Sequence, residues 1–130
     1  MATIRKFEDL EIWQEARRIS KIIISISQTT ELKTDFKLRD QIKGSIGSVM
    51  DNIAEGFDRD GNKEFRQFLS MAKGSAGETR SQCYRVFDSG YIQEEQLNEF
   101  VKDLETLSKR ISAFISYLNK EEFKGLKFKG

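Results

Sequence analysis

The nine residues "DNIAEGFDR", Asp51 to Arg59, decide how this chain is read. They close a stretch carrying Phe36, Leu38, Ile42, Ile46, Val49 and Ile53. From Leu38 onward these recur at steps of three or four, the period of one helix face. Gly56 then stands where a glycine commonly ends a helix, and "DRDGN", Asp58 to Asn62, is the clearest loop in the chain. Glu55 is the odd residue. The carbonyl end of a helix carries about half a negative charge, so an acid there costs roughly 0.3–1 kcal/mol unless a cation answers it. Arg59 and Arg66, from this chain or a neighbouring copy, are the expected answers.

Helical periodicity extends on both sides of this stretch. Leu10, Trp13, Ala16, Ile19, Ile23 and Ile26 mark a first helix, with Asp9 as a possible N-cap. Its "IIISI" cluster suits a strand in isolation, but it continues the preceding helical pattern. Thr34 or Asp35 caps the second helix and Asn62 the third, which runs from Phe65 through Phe87 to a stop at Gly90. The fourth carries Leu97, Phe100, Leu104, Leu107, Ile111, Phe114 and Leu118. The expected helices span about 9–28, 35–55, 63–89 and 94–119, each about 30–40 Å long at 1.5 Å per residue. Four helices of similar length with short links predict an all-α fold, an antiparallel up-down-up-down four-helix bundle over residues 1–120. Residues 121–130 read as a basic C-terminal tail with Lys124, Lys127 and Lys129.

Composition narrows the function classes. The 130 residues suit one domain. The net charge of +1 gives no global pull toward nucleic acid or acidic lipid, so such binding needs a local patch. The single Cys83 excludes an internal disulfide. No apolar run approaches the ~20 residues of a membrane span, and "MATIRKFEDL" lacks a signal-peptide core. A cytoplasmic protein is expected. There is no histidine, which removes the commonest general base and metal ligand, and no proline to break a long helix. Neither metal nor cofactor is expected, and no enzymatic activity.

Two constellations remain. "GSIGS" and "GSAG" place Gly44, Gly47, Gly74 and Gly77 inside helices, at about 1 kcal/mol each against alanine. Close helix crossing, within the chain or against a second copy, is the favoured return, and a backbone offered to a ligand is the other. Around the loop, Asn52, Glu55 and Arg59, with Glu78 on the third helix, are expected to form a polar cluster that organises the bundle end or a subunit contact. Glu78, Gln82 and Arg85 also read as a row on one helix face. An acid–base pair is the weaker reading, since no nucleophile or phosphate-binding loop accompanies these carboxylates. Trp13 fits core or subunit packing. Arg17, Arg18, Lys109 and Arg110, with the tail lysines, are the candidate nucleic-acid contacts, although such pairs are more often solvated faces.

"FEDLEIWQEA", "QIKGSIGSVMDNIAEGFDR", "EFRQFLSMAKGSAGETRSQ" and "GYI" together resemble the 23S rRNA intervening-sequence protein family. The resemblance covers nearly the whole chain and weakens after about Leu118. Gly77 departs from it, where a larger residue is expected. It implies a bundle that assembles as a ring-like homopentamer, with no established enzymatic activity. The family takes its name from reading frames within some bacterial 23S ribosomal RNA genes. A related branch, the accessory proteins of diversity-generating retroelements, comprises basic pentamers that bind nucleic acid and a reverse transcriptase, and the +1 charge sets this chain apart from it. The expected role is therefore an oligomeric scaffold that binds RNA or a nucleic-acid-handling protein, the alternative being a scaffold directed at proteins alone.

Overall fold

The computed structural model describes residues 4–121. Four helices, α1 (Glu11–Thr29), α2 (Phe36–Asp58), α3 (Asn62–Asp88) and α4 (Glu94–Lys120), pack as a bundle, with short 3₁₀ turns at Phe7–Asp9 and Glu31–Thr34. The tail lysines Lys124, Lys127 and Lys129 lie outside the described residues. The apolar stripes meet in one core, where Ile19, Ile23, Ile42, Ile46, Ile53, Leu69, Leu104 and Ile111 are fully buried. Each such side chain contributes about 1.5–3 kcal/mol relative to exposure. The α2–α3 and α3–α4 contacts are the most extensive, and α1–α4 is far thinner.

Two of the four helix starts differ from the sequence reading, each for a local reason. Asp9 lies in the first 3₁₀ turn, and Leu10 precedes α1 without a side-chain cap. Asp35 does cap α2, its Oδ1 accepting from Leu38 N at 3.4 Å, while its Oδ2 accepts from the Tyr91 hydroxyl at 2.9 Å. Asn62 is the first residue of α3 and not its cap. Its amide instead donates to Leu118 O (2.9 Å) and Glu121 O (3.0 Å), satisfying carbonyls that the end of α4 leaves open. Its Oδ1 accepts from Arg66 at 2.7 Å, and Arg66 also donates to Asn119 at 2.6 Å. This latch ties the start of α3 to the end of α4.

Gly56 does not stop α2. The helix continues to Asp58, and Gly56 is buried within it. A Cβ there would stand 2.6 Å from Phe68 Cβ and 3.1 Å from Phe65 Cδ1, so only glycine lets α3 come this close. The turn falls to Asp60, the one non-glycine residue at positive φ (61°) among those described. Aspartate tolerates that conformation better than most residues. Gly90 does end α3, at φ 83°. Gly90 N donates to Phe87 O (2.9 Å) and Tyr91 N to Val86 O (3.2 Å), the paired bonds of a Schellman ending.

Candidate functional site

Between α2 and α3 the core gives way to a seam of small polar side chains. Ser45 Oγ donates to Gln82 Oε1 at 2.6 Å and lies 2.7 Å from Thr79 Oγ1. Thr79 has one proton to share between Ser45 and the Ser75 carbonyl, 2.8 Å away. One turn further along, Ser75 donates to Ser48 (3.1 Å), and Asn52 Nδ2 reaches Ser48 O (2.8 Å) and Oγ (3.0 Å). Ser45, Thr79 and Gln82 are buried. Among the described residues no buried side-chain nitrogen or oxygen lacks a partner. Partnering of this kind fixes register, because sliding one helix past the other would strand buried hydroxyls at about 1–3 kcal/mol each. The pairs 45–79 and 48–75 also show that α2 and α3 run antiparallel.

The four residues expected to cluster divide between separate environments. Arg59 answers Glu55, Nη2 to Oε2 at 2.8 Å, on the surface. The same bond raises the Arg59 pKa, and its guanidinium lies 5.2 Å from the Phe68 ring centroid. Asn52 belongs to the seam. Glu78 is exposed and level with Ser45, about 10 Å along the hairpin from Asn52 at 1.5 Å per residue. The row of Glu78, Gln82 and Arg85 likewise separates. Gln82 turns inward to Ser45, and Arg85 donates to Gln41 at 3.1 Å.

The glycines correct a further expectation. Gly44, Gly74 and Gly77 are exposed and Gly47 half-buried, and a Cβ at any of the four would meet nothing within 4 Å. They make no close crossing among the described residues. They lie on the solvent side of α2 and α3, as do Met71 (52% exposed) and Tyr84 (47%), which stand on opposite flanks of α3. The seam that does join the helices was missed in the sequence, although Ser45 and Thr79 occupy steps of the apolar repeats Ile42–Ile46–Val49 and Ala76–Cys83.

The described candidate basic residues lie on two helices, α1 and α4. Arg17, Arg18 and Lys21 line an open concavity of about 180 Å³ on α1 together with Gln14. Arg18 Nη2 bonds Glu15 (3.2 Å) and Asp103 of α4 (2.9 Å), and these bonds raise its pKa. Arg17 stands 5.8 Å from the Trp13 ring centroid, and Trp13 packs edge-on with Phe7 at 5.2 Å. Lys109 and Arg110 are exposed on α4, about two turns beyond Asp103. Burial pushes the Cys83 thiol up to about 12, so it stays protonated. Among the described residues, no group of three or more His, Cys, Asp or Glu side chains is arranged to hold a metal ion, and no helix is long and apolar enough to cross a membrane.

Taken together, these features define a helical-bundle protein with a polar-seamed central hairpin and an open small-residue outer face. A protein-family model described as 23S rRNA-intervening sequence protein matches residues 8–113, and the chain belongs to that family. The fold is similar to the crystal structure of a protein of unknown function from the S23 ribosomal protein family of Bacteroides thetaiotaomicron VPI-5482. That structure has a TM-score of 0.72 and 21% identity, over 81% of this chain and 95% of the other. No curated protein matches.

Proposed function

We infer that this chain is a non-enzymatic scaffold, an up-down-up-down bundle that self-associates through the outer face of α2–α3 as a ring-like homopentamer and engages RNA or a nucleoprotein partner in the cytoplasm. The observation that carries the assembly is the open space outside Gly44, Gly47, Gly74 and Gly77. Four helix-interior glycines cost about 3–4 kcal/mol against alanine, and among the described residues nothing uses their lack of a side chain. A second copy packed on this face would use it, with Met71, one turn from Gly74, as an apolar contact. The hairpin pairs 45–79 and 48–75, and Arg80–Glu105 (3.1 Å) between α3 and α4, support the alternating helix directions.

The absence of histidine and the pairing of Glu55 with Arg59 support a role without catalysis. Exposed Arg17, Lys109 and Arg110 support contact with phosphates. Light scattering at micromolar concentration tests the assembly. A mass about five times the 15.1 kDa chain supports the pentamer, and 15.1 kDa contradicts it. A titration with structured RNA at about 50 mM salt tests the ligand, because phosphate contacts are strongest at low salt. No binding there by structured or single-stranded RNA ends the RNA reading.

A further inference from the structure

The geometry points to the α1 face bearing Gln14, Arg17 and Lys21, beside Trp13, as the place where a single-stranded RNA backbone docks through its phosphates. This rests on the RNA reading above and names the site for it. The observation behind it is an asymmetry in how charge is spent on α1. Two carboxylates reach this surface, Glu15 and Asp103, and both converge on the Arg18 guanidinium. Arg17 and Lys21, one turn apart on the same face, have no carboxylate at ion-pair distance among the described residues. Arg18 thus anchors α1 to α4, and its neighbours keep their positive charge for something outside the chain.

The shape agrees with a phosphate and not with a larger ligand. Small-molecule sites occupy about 300–1,000 Å³, whereas this concavity holds about 180 Å³ and is lined only by Gln14, Arg17, Arg18 and Lys21. From Gln14 to Lys21 the helix rises about 10 Å at 1.5 Å per residue. That length sets the reach of the site along one strand. Arg17 offers a planar fork suited to two phosphate oxygens, and Lys21 a compact point charge. Gln14 keeps one amide hydrogen free, the other being donated to Glu8 O at 2.8 Å. Trp13, half-buried against the core with Arg17 over its ring at 5.8 Å, lies beside this charged surface.

Trp13 is the only tryptophan, so its emission reports on this site. The test titrates labelled single-stranded RNA into the full-length protein, following anisotropy and Trp13 emission across a salt series. The proposal expects both signals to respond in the wild type. In Arg17→Gln/Lys21→Gln, affinity should fall about tenfold and the salt slope by about 1.4, two cations at about 0.7 each for a single strand. Arg17→Lys/Lys21→Arg should retain the slope. An unchanged slope and affinity in Arg17→Gln/Lys21→Gln overturns the site while the RNA reading stands. A wild type that binds no RNA overturns both. Inorganic phosphate that shifts Trp13 emission as fully as RNA, at equal phosphate concentration, overturns the polymer as ligand.

Discussion

The two faces of the α2–α3 hairpin use the same residue types for opposite ends. On the inner side, Gly56 lies under Phe68, where a single methyl would collide at 2.6 Å. The serines and threonine beside the core are bonded pairwise across the seam. On the outer side, Gly44, Gly47, Gly74 and Gly77 face open space, and Met71 and Tyr84 stand exposed. A glycine is therefore informative only once its face is known. Inside, it records a contact already made within the chain. Outside, it leaves room for a contact made by something else.

Substitution at the inner glycine should break the hairpin most. Gly56→Ala must displace Phe68 at its Cβ, which is backbone-bound and cannot swing away. Overpacking of this kind costs about 1–3 kcal/mol, seen as a lower urea midpoint with an unchanged slope. The buried thiol provides a second probe of the inner face. The unfolded chain releases the Cys83 proton in the ordinary thiol range, about 8.5, whereas the folded chain holds it up to about 12. Folded stability linked to this group is present below the ordinary range and falls as pH rises through it, by up to about 1.4 kcal/mol per pH unit. Alkylation at pH 8 should accordingly proceed only as fast as the protein opens.

The outer face should respond with the opposite sign. Gly44→Ala or Gly74→Ala meets no atom, so each should raise the stability of the single chain by about 1 kcal/mol through helix propensity. Thermal melts at concentrations where the chain is monomeric measure this. The smallest effect belongs to the exposed ion pair. Glu55→Gln should cost least of these, and less still at high salt, because Glu55 and Arg59 are both half exposed to solvent.

Most of the fold was legible because apolar residues declare their face. Ile42, Ile46, Val49 and Ile53, and the matching repeats of the other helices, placed all four helices to within a few residues. Glycine and serine carry little hydropathy, so the same reading could not orient them. Taken strictly, the repeat sets Gly44 two residues past Ile42 and Gly47 one past Ile46, off the inward stripe, while Ser45 and Thr79 fall on it. That positional signal was available and pointed to the observed seam. The roles of Gly56 and Asn62 were not available. Both depend on contacts with other helices, Phe68 of α3 and the end of α4, that no local pattern encodes. The α1 site was visible only as a pair of arginines. Its asymmetry needed Asp103, 85 positions away in the chain, to be seen at Arg18.

The central claim is that the open glycine face is an assembly surface. Gly44→Glu/Gly74→Glu tests it most directly, because both positions are exposed and a Cβ at either meets no described atom within 4 Å. Light scattering at micromolar concentration, with circular dichroism to confirm helix content, compares this variant with the wild type. The expected result is a wild-type mass several times 15.1 kDa and a fully helical variant at 15.1 kDa. A variant that keeps the wild-type mass, or a wild type that is itself monomeric, would contradict the claim.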